Sequence, residues 1–353
     1  MPKPSSDKDA AKPIARGART VSISFLILSL ALFLAACSGS TTSNSGASAT
    51  PAAVASPSPQ SSPARLAVDA DRAFEHVRKQ VEFGPRPAGS AELAKTRDYI
   101  VGELKSYGLN VTLDEFTPKT PVGNRKMVNV VAELPGESTD IIILSSHYDT
   151  KPFKDFNFVG ANDGASSTAA LLEIARVMAQ NKQKPRLTYR FVFFDGEEAF
   201  CEEWDECKNP DGPDNTYGSR HYVQLLKEKN ETNRVRALIL LDMMGYKNLQ
   251  LGRNEVLSTP WLINAVWDTA REMNYDKYFV DQIEHCDGDD HEPFLKAGIP
   301  SLDIIQLGTY PYWHTAEDTL DKISPQSLKT VADVVLASLP QIEQRILSMR
   351  PTS

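Results

Sequence analysis

The chain has 353 residues, 41% of them hydrophobic, with 38 Lys and Arg against 46 Asp and Glu. That supplies enough apolar material for one large globular domain with appendages. The acidic balance, with no basic stripe of interleaved aromatics, excludes a nucleic-acid binder.

Residues 1–36 are set apart from the fold. Lys3, Lys8, Lys12, Arg16 and Arg19 precede an apolar run from Val21 to Leu34, which ends in Leu34-Ala35-Ala36-Cys37. A basic start, a short apolar run and small residues at its end make a secretory signal. At roughly 14 residues the run falls short of the ~20 that a membrane-spanning helix needs, so a transmembrane anchor is the weaker alternative. The Leu-Ala-Ala-Cys end resembles a bacterial lipobox, which implies a lipidated Cys37 at the mature N-terminus. The protein is then expected in the cell envelope, membrane-anchored on the periplasmic or extracellular side. Residues 37–65 are Ser, Ala, Thr and Pro with few large apolar side chains, a composition that cannot offset its own ordering entropy and is expected to be a disordered tether.

From residue 66 a single domain is expected to run to residue 353. The spacing of Val68, Ala73, Val77 and Val81 predicts a helix over 67–81, stopped by Gly84-Pro85-Arg86-Pro87. A second helix is predicted over 91–107, then strands over 111–116, 128–134 and 141–146. A helix over 164–180 follows a loop rich in Asn, Phe and Gly. Next come a strand over 187–195, a long loop over 199–215 and a helix over 216–229. A strand over 235–242, a helix over 260–272, a short strand near 277–280, a helix over 290–297, a strand over 301–306 and a terminal helix over 324–350 complete the pattern. Strands alternating with helices predict a three-layer α/β/α sandwich around a mixed, mostly parallel sheet. Cys201 and Cys207 can close a small disulfide loop in an oxidising compartment; isolated thiols, Cys286 included, are the alternative.

Three of the predicted strands end in acids or histidine. The run Phe191 to Phe194 leads into Asp195-Gly196-Glu197-Glu198, the strand before it ends in His147-Tyr148-Asp149, and the strand after it ends in Asp242. Two adjacent glutamates past a buried strand repel as anions unless a cation or a shared proton offsets the charge. Asp163 opens a helix, and His314 lies in the loop Tyr312-Trp313-His314-Thr315. Any one of these residues alone is an ordinary satisfied polar group. Together, on the carboxyl edge of one sheet, they form the donor set that zinc accepts, imidazole nitrogen and carboxylate oxygen.

His147-Tyr148-Asp149, Gly160-Ala161-Asn162-Asp163, Gly196-Glu197-Glu198, Leu241-Asp242 and His314-Thr315, in this order, resemble the zinc aminopeptidase superfamily. Within it the chain is most similar to the glutaminyl-peptide cyclotransferases, or glutaminyl cyclases. The narrower resemblance rests on Phe193 to Phe200, Tyr217-Gly218-Ser219-Arg220-His221, Asp289-Asp290-His291 with Pro293-Phe294-Leu295, and Trp313 before His314. It spans residues 66 to 348.

The resemblance implies one zinc held by Asp163, Glu198 and His314, with Glu197 as acid and base and Asp242 assisting it. His147 would join Asp163 and Asp242 in a two-zinc peptidase, and Asp149 stands beside it as a second-metal or supporting residue, so a second ion is not excluded. Trp313, Trp204 and Tyr310 are expected to wall the pocket for a glutamine side chain. Asp289 matches an aspartate networked with the counterpart of Asp242. The chain departs from animal cyclases in having Asp303 where they carry histidine, which alters that proton network. The expected partner is a peptide with N-terminal glutamine, and a monomer is expected. Two alternatives stand beside the cyclase: a zinc aminopeptidase using metal-bound water, and a surface-binding lipoprotein without turnover.

Overall fold

The computed structural model describes residues 66–202, 207, 209 and 212–349. The expected signal segment, Cys37, the expected tether and Trp204 lie outside the described residues. Helix α1 (Ala70–Phe83) starts where the Asp69 carboxylate accepts the N–H groups of Asp71 and Arg72, which sets its first turn three residues later than the apolar spacing predicts. Ser90 caps α2 (Ala91–Ser106) in the same way.

Strand β1 (Asn110–Phe116) is followed by a two-residue hairpin, β2 (Lys119–Thr120) and β3 (Gly123–Asn124), too short to leave an alternating pattern. The chain continues through β4 (Met127–Leu134), β5 (Ser138–His147), α3 (Ala165–Gln180), β6 (Leu187–Phe194), α4 (Tyr217–Glu228) and β7 (Val235–Leu241). Then come β8 (Leu251–Arg253), α5 (Pro260–Glu272), β9 (Phe279–Ile283), α6 (Glu292–Lys296), β10 (Ser301–Ile304) and α7 (Pro325–Ser348). Strand β8 was not foreseen; it pairs in parallel with β9, which lies slightly later than the predicted 277–280. Helix α6 is shorter than predicted, a single turn or so between His291 and Ala297.

The main sheet has the order β1-β4-β6-β5-β7-β10. Strands β6, β5, β7 and β10 run parallel, while at one side β4 is antiparallel to both of its neighbours, β6 and β1. This is the predicted mixed, mostly parallel sheet. Its strands are buried on both faces, so alternate residues feed two cores. Phe191 and Phe193 of β6 pack with Ile142 and Leu144 and with residues of α1, α2, α3, α5 and α7. Val192 and Phe194 pack with Ile141, Ile143, Tyr222 of α4 and Phe294 of α6. Helices therefore cover both faces, which makes three layers.

Register places the chemistry. Ser145 of β5 pairs with Leu240 of β7, and His147 pairs with Phe194 of β6. Two residues on from a paired position returns to the same face and height, so His147 and Asp242 leave adjoining strands side by side. Cys201 and Cys207 close a disulfide, and Cys286 is a buried free thiol.

Candidate active site and metal centre

The segments that follow β5, β6 and β7 at their carboxyl ends bring the acids together. His147 Nε2 lies 3.2 Å from Asp163 Oδ1 and 3.2 Å from Asp242 Oδ1. His314 Nε2 lies 3.3 Å from Glu198 Oε1 and 3.4 Å from Asp163 Oδ2. Asp163 thus stands between the two histidines. Two donor sets result, Asp163 with Glu198 and His314, and His147 with Asp163 and Asp242, each with its ligand atoms within 4.8 Å of one another.

The residues fit a zinc ion. The donor set is nitrogen and carboxylate oxygen. Asp163 Oδ2, Glu198 Oε2 and His147 Nδ1 are buried without a hydrogen-bond partner, a state that costs free energy unless something else binds them. His314 sits at φ 54°, a left-handed conformation rare for a residue with a β-carbon. Strain of this kind is held only where the surroundings impose it. Trp313 stacks on the His314 ring at 4.2 Å, and Phe153 and Phe158 meet it edge-on at 5.6 and 5.8 Å.

Glu197 points at the same space, its Oε2 3.9 Å from His147 Nδ1. Burial, then the charge of Glu198, pushes its carboxyl well above the usual carboxylate range. Burial also raises Glu198 and Asp242. For Asp163 burial acts in the same direction, but the neighbouring His147 and His314 rings outweigh it and hold the carboxyl low. Burial opposes the charge on His314, yet Glu198 and Asp163 push it up to about 9.

The remaining sequence candidates fall into place around this group. Asp149 is wholly buried and accepts the backbone N–H groups of Glu197 at 3.1 Å and Glu198 at 3.2 Å, so it supports the turn instead of joining either donor set. Asp195 turns away, accepting the Val128 N–H at 2.8 Å. Trp313 is 40% exposed at the rim. Tyr310 is buried, and its hydroxyl donates to Asp318 at 2.6 Å. Asp289 and Asp303 form a buried cluster with Cys286, where burial and then their mutual or neighbouring charge raise both carboxyls strongly. Asn254 donates to Asp303 at 3.2 Å.

Three neighbours escaped the sequence reading. Lys151 is buried and donates to the carbonyls of Ala199 and Cys201, fixing the chain just after Glu198. Asp318 and Arg86 are buried beside the turn that carries Asp163. Nothing in Thr315-Ala316-Glu317-Asp318 or Gly84-Pro85-Arg86-Pro87 separates these residues from ordinary loop acids and bases; the stop-signal reading of the second segment hid its arginine.

Known proteins resemble this chain in sequence and fold. The profile of peptidase family M28 matches residues 129–339. A glutaminyl-peptide cyclotransferase of Dictyostelium discoideum is 30% identical over 313 residues, covering 75% of this chain and 84% of the relative. The crystal structure of an Acidobacteriales bacterium glutaminyl cyclase superposes with a TM-score of 0.73 at 36% identity, over 83% of this chain and 100% of that one. A Zn-dependent exopeptidase from Parabacteroides distasonis is similar as well, with a TM-score of 0.71 at 30% identity over 77% of this chain and 98% of that one. The chain belongs to peptidase family M28, with glutaminyl-peptide cyclotransferases among the relatives it resembles across most of its length.

Proposed function

We propose that the protein is a zinc-dependent glutaminyl-peptide cyclotransferase that converts N-terminal glutamine to pyroglutamate and releases ammonia. The observation that carries this reading is the meeting of Asp163, Glu198 and His314 next to the protonatable carboxyl of Glu197; the cyclase relatives support the choice of substrate.

Asp163, Glu198 and His314 would hold the ion, and when bound it supplies Lewis-acid polarisation of the substrate γ-carbonyl. Glu197 then has a defined task. It takes a proton from the α-amine as the α-nitrogen bonds to the side-chain amide carbonyl carbon, and returns it to the side-chain nitrogen as the bond between that carbon and the side-chain nitrogen breaks. No water enters, so the products are the lactam and ammonia. Asp242, 3.2 Å from His147, would hold the departing nitrogen or the protonated intermediate. Trp313 offers an aromatic wall at the rim, and the Asp289–Asp303 pair supplies a proton reservoir behind Asp242.

A second reading has its own support. His147, Asp163 and Asp242 complete a five-residue set able to hold two ions, which suits an aminopeptidase with a metal-bound water and Glu197 as base. A Gln-initiated peptide followed by mass spectrometry separates them: loss of about 17 Da marks cyclisation with expulsion of ammonia, whereas free amino acid marks hydrolysis. Release of amino acids without any cyclised product would overturn the first reading. The basic, apolar, Cys37-ending start supports a lipid-anchored protein, tested by whether Cys37→Ser leaves the membrane fraction.

A further inference from the structure

Arg86 is completely buried, yet its guanidinium is bound by carbonyls and not by a carboxylate. Nη1 donates to Val159 O at 2.7 Å, Gly84 O at 3.2 Å and Gln80 O at 3.3 Å, and Nη2 donates to Gly160 O at 3.2 Å. Its own backbone is tied to the start of the same loop: the Arg86 N–H donates to Thr150 Oγ1 at 2.8 Å, and the Thr150 N–H donates to Arg86 O at 3.1 Å. One residue thereby joins both ends of the loop 150–160 to the end of α1. Asp149 directly precedes that loop and Asp163 follows it.

From the other side comes Asp318, 1% exposed. Its Oδ1 accepts the Asn162 N–H at 2.8 Å, its Oδ2 accepts the Asp163 N–H at 3.0 Å, and its backbone oxygen accepts the Ala161 N–H at 3.3 Å. Tyr310 donates a further hydrogen bond to Oδ1. Between the two lies Gly160 at φ 49°, where a β-carbon would stand 2.4 Å from the Asp163 carbonyl oxygen. The turn is therefore pulled by its carbonyls toward a cation and by its N–H groups toward an anion. Burying two charges that do not touch each other is costly unless hydrogen bonds satisfy both, and a loop needing only to connect β5 to α3 requires neither.

We propose that Arg86 and Asp318 are paired positioning residues that clamp the 159–163 turn so that the Asp163 carboxylate is held ready between His147 and His314. This rests on the reading of Asp163 as a metal ligand. Lysine cannot replace Arg86, because a single ammonium lacks the planar fork that reaches the Val159 and Gly160 carbonyls together. Asparagine in place of Asp318 keeps the shape but turns an amide NH2 against one of the two backbone donors.

The test is zinc affinity of the full chain, measured by chelator competition, with the melting temperature of the metal-free protein measured alongside. Arg86→Lys and Asp318→Asn should each weaken zinc binding about 10–100-fold, the range for residues that orient a ligand from behind, while the metal-free proteins stay folded. Should Arg86→Lys fail to fold, Asp318→Asn decides. Variants that bind zinc as the parent does, or that lose it only in step with unfolding of the metal-free protein, overturn the clamp. A parent that binds no zinc overturns the proposed function and the clamp together, whereas a zinc-binding parent without cyclase activity overturns only the function.

Discussion

The Asp149 carboxylate accepts the backbone N–H of Glu197 at 3.1 Å, so the acid that closes the β5 motif fixes the backbone of the residue assigned the proton transfer. Its second oxygen holds the Glu198 N–H at 3.2 Å. Asp149→Asn can accept only one of these donors and opposes the other with an NH2. We expect kcat for Gln-peptides to fall about 10–100-fold, as for other residues that orient a site from behind, with the fold retained by circular dichroism. A kcat within twofold of the parent would show that the Glu197-Glu198 turn needs no such support.

Glu197→Gln removes the proposed proton carrier and leaves the three side chains proposed to hold the metal intact. Turnover should drop about 10²–10⁴-fold, the usual worth of general acid–base catalysis, while zinc content measured by elemental analysis stays at the parent value. Normal turnover in this variant would remove Glu197 from the mechanism.

Gly164 lies at φ 82°, and a β-carbon there would stand 2.8 Å from the Asp149 carbonyl oxygen and 3.1 Å from His147 Cε1. Gly164→Ala therefore combines a left-handed backbone, which costs about 1–2 kcal/mol for a residue with a side chain, with displacement of His147. The expected outcome is a lowered melting temperature together with at least tenfold lower kcat/KM. An unchanged melting temperature and kcat/KM would mean that the packing against His147 is looser than these contacts.

His291 is fully buried, and burial lowers its pKa to about 4 from the ordinary 6.5. Between those two pH values the unfolded chain takes up a proton that the folded chain refuses. The contribution of this residue to stability is therefore complete above pH 6.5 and is lost as pH falls toward 4, a difference of about 3 kcal/mol at 1.36 kcal/mol per unit. Asp289 and Asp303, raised in the fold, act in the opposite direction. The readable quantity is thus the stability difference between the parent and His291→Gln, taken from denaturant midpoints across this window. That difference should shift against the parent on acidification; a constant difference would show that His291 is not held neutral.

The β6 run was legible because Phe191 to Phe194 are apolar at every position, as in a strand buried on both faces, and the run is too short for a helix. The carboxyl ends of β6 and β7 were legible to within one residue, since each apolar run stops at an aspartate, whereas β5 begins at Ser138, three residues before its apolar run. Short elements were not: β2 and β3 have two residues each and β8 has three, too few for a period to emerge. Tyr310 shows a different limit. Its closeness to Trp313 in sequence suggested a pocket wall; the bond from its hydroxyl to Asp318 was not legible there, because adjacency along the chain carries no information about which way a side chain turns.

The amino-acid sequence determined the order of strands and helices and the types of donor available, because burial on one or two faces dictates a period and metal chemistry dictates which side chains serve. Only the tertiary structure decided that Asp163 stands between His147 and His314, that Asp149 supports two backbone amides, and that Arg86 and Asp318 grip one turn from opposite sides. Those relationships depend on strand register and on the paths of loops between residues up to 232 positions apart, such as Arg86 and Asp318. No local pattern encodes them, because the hydrogen bonds that set them form only when the distant segments have already met.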